Sequence, residues 1–189
     1  MVDDLHPQSI KARGVIQLLG GVGPNGNVQA TILTQNLAAQ LDCPAWLLPS
    51  QSIEHSVEER AKLVASEDVA EVVKKFAEVD VAILGIGELE PSQLLKNSGN
   101  YYAETMLKTL AERGAVGDIC LHYFNAQGEP VLSKAEDPVI GMELSQVRDC
   151  PHVVALAGGI DKANAIRGAL QGGYIDVLIT DYPTAHQLL

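Results

Sequence analysis

Residues 153–162, VVALAGGIDK, constrain the chain most. Residues 153–157 form a short continuous run of apolar and small side chains, the pattern of a strand buried in a parallel sheet; a half-exposed strand would alternate. Gly158-Gly159 breaks the run, and Lys162, Ala163, Ala165, Ile166, Ala169 and Leu170 follow at helical spacing. Strand, glycine turn and helix in that order make the unit of an open α/β sheet, whose ligands bind beyond the carboxyl ends of the strands. Lys162 falls in the first turn of the predicted helix, an end where the dipole favours anions. A lysine there makes sense with an anion between the helix amides and the ammonium; the alternative is a solvated surface lysine.

The unit recurs upstream and downstream. Residues 15–19 (VIQLL) read as a strand closed by Gly20-Gly21-Val22-Gly23-Pro24, and a helix follows with Val28, Ile32, Leu33, Leu37 and Leu41 on one face and Asn27 as its cap. Residues 43–48 are a second strand. Residues 57–76 are helical with a break near Ser66, which reads as a cap. Residues 79–86 form a strand running into Gly85-Ile86-Gly87, and 88–100 a loop placed to cover a pocket. A helix over 102–113 ends at Gly114. Residues 116–124 carry a looser turn at Gly117-Asp118, and Asn125-Ala126-Gln127-Gly128 is the turn of a hairpin over 124–131, an antiparallel addition at one edge. A short helix at 145–149, the strand at 153–157 with its helix, a last strand at 175–180 and a helix from Asp181 complete the chain. This alternation predicts an α/β fold: a three-layer, Rossmann-like domain with a mostly parallel sheet. Residues 1–14 are a polar, trimmed or flexible boundary, and 15–189 are one domain, long enough for its own core.

The formal net charge of −11 repels phosphate backbones, which argues against DNA or RNA binding by this chain alone. No apolar run reaches the length of a membrane span. Cys43, Cys120 and Cys150 are odd in number and widely spaced, which speaks against a disulfide scaffold or a zinc site and for a reducing, cytoplasmic setting.

Four glycine-bearing turns follow four strands: Gly20-Gly21, Gly85-Ile86-Gly87, Gly117-Asp118 and Gly158-Gly159. Each alone is most simply a tight turn. Together at one edge of a parallel sheet they would let a ligand approach backbone amides. None has dinucleotide or Walker spacing, so no nicotinamide or nucleoside-triphosphate cofactor is expected, and no metal. Asp118 at such an edge can accept hydrogen bonds from vicinal hydroxyls, as acidic residues do when they read sugars; a turn cap is equally supported. Gln29, just beyond the first glycine loop, is able to bond a hydroxyl or phosphate, or simply faces solvent. Glu88 reads as a surface charge before a lid or pocket carboxylate. Asp176 caps or faces solvent, Asp181 lines the cleft or caps the last helix, and His122 is able to face the pocket. Cys120 and Cys150 read as packed thiols.

Several runs resemble the effector-binding domain of the SorC/DeoR-type sugar-responsive transcriptional regulators: QLLGGVG at 17–23, GAVGDI at 114–119, the turn at 124–128, VIGM at 139–142, and above all the long stretch 157–189. The resemblance spans about 15–189. It implies a fold similar to ribose-5-phosphate isomerase, glucosamine-6-phosphate deaminase and the CoA transferases, a phosphorylated sugar or sugar-like effector, and a dimeric or tetrameric assembly. It places the effector site on Gln29, Gly85, Gly87, Asp118, Gly158, Gly159 and Lys162, with Asp118 matching an acidic residue on the sugar hydroxyls and Lys162 a lysine near the phosphate. Leu19 stands where members that bind a bisphosphate carry arginine, which favours a monophosphate or another small polyol. Such regulators also carry an N-terminal helix-turn-helix, and a first strand with a Gly-Ser/Thr phosphate loop, ahead of the point matching Met1. The expectation is an effector domain incomplete at its N-terminus, reaching DNA only through a helix-turn-helix absent from these residues. Two other readings stand beside the sensor: a sugar-phosphate isomerase or deaminase on the same fold, and an oligomerisation unit without a pocket.

Overall fold

A computed structural model of the chain describes residues 11–21, 28–91 and 102–189. Short apolar runs become strands and the amphipathic stretches between them become helices. The order is β1 (Val15–Ile16), α1 (Val28–Gln40), β2 (Ala45–Trp46), α2 (Val57–Val64), α3 (Glu67–Lys74), β3 (Val81–Gly85), β4 (Gly87–Glu88) and α4 (Glu104–Glu112). Then come β5 (Ala115–Ile119), β6 (His122–Asn125), α5 (Leu144–Asp149), β7 (His152–Leu156), α6 (Ala163–Gln171), β8 (Val177–Ile179) and α7 (Tyr182–Leu188). The fold is α/β. β1 and β2 pair in parallel, β3, β7 and β8 form a parallel sheet in that spatial order, and β4, β5 and β6 form an antiparallel one.

The inner face of the β3–β7–β8 sheet presents Ala82, Leu84, Val153 and Ala155, which are buried with Val69, Val72 and Phe76 from the α3 region and with Ala165, Ile166 and Ala169 of α6. Small residues here let helix and strand backbones approach closely. α6 continues against the hairpin: a Cβ on Gly117 would lie 2.4 Å from the Ala165 Cβ, and one on Gly168 2.9 Å from the Asn125 carbonyl oxygen. A second apolar cluster, with Tyr102, Leu110, Leu121, Tyr123, Leu132 and Val139, fills the far side of the hairpin.

The structure corrects several expectations. Gly117 and Asp118 are inside β5, not at a turn. The hairpin reverses at Cys120-Leu121, and the turn at 125–128 is a second, shorter reversal, closed by the Gly128 amide on the Asn125 carbonyl at 2.8 Å. Lys162 ends a short 3-10 turn and caps α6 rather than sitting in its first turn. Ile32 and Leu33, expected on the inner face of α1, are exposed at 47% and 43%, while Ala38 is buried. Ser66 occupies the cap position of α3, but its hydroxyl donates to the Leu63 carbonyl instead of capping.

Candidate functional site

The β5–β6 hairpin reverses through two residues, Cys120 at φ 51° and Leu121 at φ 64°. Two-residue hairpins favour positive φ at both positions, normally supplied by Asn or Gly. Here a cysteine and a buried leucine adopt it, and the Leu121 amide donates to Asp118 Oδ2 at 2.9 Å. The carboxylate thus braces the turn that carries it. On the other side of β5, Gly87 of β4 lies directly opposite Asp118. A Cβ on Gly87 would come within 1.9 Å of Asp118 Oδ1, so only glycine leaves room for this carboxylate.

Burial pushes the Asp118 carboxyl up to about 6, against the opposing pull of the Leu121 amide, His122 and the Lys162 ammonium. Burial and the Asp118 charge raise the Cys120 thiol to about 12, which makes it inert as a nucleophile. The Tyr123 hydroxyl is pushed up by the same two causes. Tyr102 meets the Tyr123 ring edge-on with centroids 5.8 Å apart, and its hydroxyl donates to Asp137 at 3.0 Å. His122 Nδ1 donates to the other Asp137 oxygen at 2.6 Å. Burial raises the Asp137 carboxyl, but His122, the Val139 amide and Tyr102 together hold it below its ordinary value.

Lys162 reaches the same place from the opposite element. Its Nζ donates to the Ile86 carbonyl at 2.8 Å, between Gly85 and Gly87. Asp118 and Lys162 therefore both converge on the β3–β4 junction, one against Gly87 and the other on Ile86. An ammonium has three N–H donors, so this bond leaves two. Gly85 is exposed, and a Cβ there would meet only the Leu156 carbonyl at 3.8 Å.

Gly158 and Gly159 follow β7 at the same sheet edge, but their amides are less free than the sequence implies. The Gly159 N–H donates to Asp181 Oδ2 at 2.7 Å and to Thr184 Oγ1 at 2.9 Å. Gly159 needs its glycine for φ 109°, and a Cβ on Gly158 would fall 2.5 Å from Asp181 Oδ2. Asp181 also accepts the Thr184 amide and hydroxyl, so it caps α7, and these bonds hold its carboxyl below the usual range. Asp176 accepts the Val153 amide at 2.7 Å and braces β7. Glu88 lies half-buried on β4 opposite Gly117. Gln29 is in the first turn of α1; its side chain lies outside the described residues, as does most of the 88–100 loop.

A separate cavity of about 150 Å³ is lined by Arg60, His122, Tyr123, Lys134, Asp137 and Glu143, among others. Neither Asp118 nor Lys162 lines it. Its charges are already paired, Arg60 and Lys134 with Glu143 and His122 with Asp137, so it offers an anion little.

The model of the Sugar-bind family, a sugar-binding domain, matches residues 1–189. The chain belongs to this family. Among solved sugar-binding domains, that of the transcriptional regulator DeoR from Pseudomonas syringae pv. tomato is 48% identical with a TM-score of 0.74, over 100% of this chain and 69% of that one. A DeoR family transcriptional regulator from Listeria monocytogenes is 26% identical with a TM-score of 0.87, over 100% of this chain and 74% of that one. The Deoxyribonucleoside regulator of Bacillus subtilis (strain 168) is 28% identical over 100% of this chain and 60% of its own length. The transcriptional regulator LsrR of Escherichia coli (strain K12) is 34% identical over 93% of this chain and 54% of its own length. The sugar-binding domain described by these 189 residues thus spans little more than half of the curated relatives.

Within this sugar-binding domain, Tyr123 pairs with the buried carboxylate, Tyr102 packs edge-on against Tyr123, and Asp137 accepts from Tyr102, none of them having stood out in the sequence. Tyr123 shares a face with Asp118 only because the chain reverses at Cys120-Leu121. With the reversal placed at 125–128, no pairing of the two residues follows from their spacing.

Proposed function

We propose that this chain is the effector-sensing domain of a sugar-responsive transcriptional regulator, and that its effector is a phosphorylated sugar or a related small polyol held between Asp118 and Lys162. The observation that carries the reading is a buried carboxylate facing the same junction as a lysine with donors to spare. Among the described residues, Asp118 receives one hydrogen bond, from the Leu121 amide. Its remaining lone pairs suit vicinal hydroxyls, which donate, while the Lys162 ammonium suits a phosphate or other anionic oxygen. Each charge-assisted bond is worth roughly 1.5–3 kcal/mol, so two or three such contacts account for a working affinity. Gly85, Gly87 and Gly158 keep the rim low, Gln29 completes the proposed contact set, and Gly159, whose amide is taken by Asp181 and Thr184, shapes the turn rather than binding through that amide.

Family membership favours binding over turnover, because the named relatives are transcriptional regulators. Contact with an operator is assigned to another part of such a regulator, in keeping with the net charge of −11 here. Calorimetric titration of the purified chain with a panel of sugar monophosphates and the parent sugars tests the reading. Saturable heat with a phosphorylated member, lost in both Asp118→Asn and Lys162→Ala, is expected. Robust isomerisation or deamination of a sugar phosphate would replace the sensor with an enzyme, and a panel without binding would remove the site.

A further inference from the structure

The cavity beside the hairpin is satisfied in its charges and unsatisfied in several of its hydrogen-bonding groups. Tyr123 lines it and is 3% exposed, yet its hydroxyl makes no hydrogen bond among the described residues. His122, 5% exposed, gives Nδ1 to Asp137 and leaves Nε2 enclosed without a partner. Arg60 engages one N–H with the Val139 carbonyl and one with Glu143. A guanidinium has five, so three stay open, on a side chain only 14% exposed. Glu143 cannot turn to serve them, because Lys134 and the first turn of α5 hold it as well. Buried polar groups are paired almost without exception, so this many open ones on one enclosed space call for an occupant.

The lining narrows the occupant's chemistry. Arg60 and Lys134 pair with Glu143, and His122 with Asp137. A ligand of either sign therefore meets a like charge. Donors outnumber acceptors among the open groups, which suits hydroxyl oxygens. Pro130, Leu132 and Leu144 give the space an apolar wall for C–H groups. Its volume is about 150 Å³, several times what one water needs, and a cavity of about that size admits benzene, which has as many heavy atoms as glycerol. We propose that this cavity is a second ligand site, separate from the one at Asp118 and Lys162, and that it takes a short uncharged polyol. Hydroxyl oxygens of the polyol accept from Arg60 and Tyr123, and its C–H groups lie on Leu132 and Leu144. Tyr123 pairs across the hairpin with Asp118, so one hairpin serves an unphosphorylated ligand on β6 and the phosphorylated effector on β5.

The test follows the backbone amide signals of the 189-residue chain by NMR during titration with glycerol and with threitol. Saturable shifts with a millimolar Kd are expected at 131–134 and 143–145, and none at 85–87 or 162. Tyr123→Phe removes only the hydroxyl, and is expected to weaken threitol binding at least about threefold without lowering the Tm. Ser145→Trp, at the exposed rim of the cavity, is expected to fill its mouth and abolish binding. Shifts at 85–87 and 162 that vanish in Lys162→Ala would put the polyol in the effector site and overturn the proposal. An absence of saturable shifts would overturn it too, leaving water alone in the cavity, as would equal threitol affinity in the parent, Tyr123→Phe and Ser145→Trp. Sugar-phosphate titration addresses Asp118 and Lys162 instead, so failure of one reading leaves the other standing.

Discussion

Gly85 and Gly87 are two residues apart on either side of the carbonyl that holds Lys162, and substitution by alanine should separate them sharply. At Gly87 the new methyl would sit 1.9 Å from Asp118 Oδ1 and 2.8 Å from its Cγ. Neither group can simply swing away, because Asp118 is buried, its other oxygen holds the Leu121 amide, and the strands are paired at this position. Relieving the overlap costs about 1–3 kcal/mol as overpacking, and breaking the bond to Leu121 about 1.5–3 kcal/mol more. Gly87→Ala is therefore expected to lose about 2.5–6 kcal/mol, or a fall in Tm of the order of 10 °C for a chain of this size. At Gly85 the methyl meets only a carbonyl at 3.8 Å. Gly85→Ala should be neutral, or stabilising by about 0.4–1 kcal/mol through the unfolded state. Urea denaturation of the pair measures the gap, and titration with the best sugar phosphate follows it into function. Equal stabilities, or full effector affinity in Gly87→Ala, would refute the claim that Asp118 is locked against this glycine.

Three further outcomes follow from the same geometry. Burial raises the Asp118 carboxyl to about 6, so the folded chain holds its proton more tightly than the unfolded one, and stability falls as pH rises from about 4 to about 6 and stays low above. Asp118→Asn keeps an acceptor for Leu121 and is expected to gain about 2–3 kcal/mol at pH 7, a gain that vanishes by about pH 4; urea melts across that range check it, and a pH-independent difference would refute it. Lys162→Ala removes the bond to Ile86, so it should cost roughly 1–3 kcal/mol of stability as well as effector affinity; a variant as stable as the parent in the same melts would show that the Ile86 bond does no holding. Gly128→Ala combines φ 77° with a Cβ 2.2 Å from the Gly172 Cα, backbone against backbone, and is expected to cost more than about 3 kcal/mol or to prevent soluble expression.

The alternation of strands and helices was legible because it lives in local hydrophobic pattern, and residues 153–171 fold much as their spacing says. What the glycines do was not. Gly117 reads as half of a turn, yet it sits within a strand, and it is glycine because a Cβ there would run into Ala165, distant in sequence. Gly159 reads as an open amide for an anion, yet Asp181 and Thr184 take that amide. Cys120-Leu121 reads as nothing in particular, because its reversal is held by burial of Leu121 and by the Asp118 carboxylate rather than by residues that favour positive φ. Each failure has one cause: the deciding neighbour is remote in sequence or belongs to a tertiary bond that single residues do not announce.

Exposure across the β3–β7–β8 sheet, among the described residues, shows the same limit from the opposite direction. An apolar run such as VVALA at 153–157 specifies that a strand is to be covered on both sides, and it reads identically whether or not the second cover is present. Only exposure reveals the difference, with Ile83 and Val177 open on one side and Ala82 and Ala155 closed on the other. The proposed effector site does not share that face: Asp118 and Lys162 meet at the carboxyl end of β3, where Gly85, Ile86 and Gly87 lead out of the sheet. Yet one strand serves both, since β3 carries Ile83 on its open face and delivers Ile86 to Lys162.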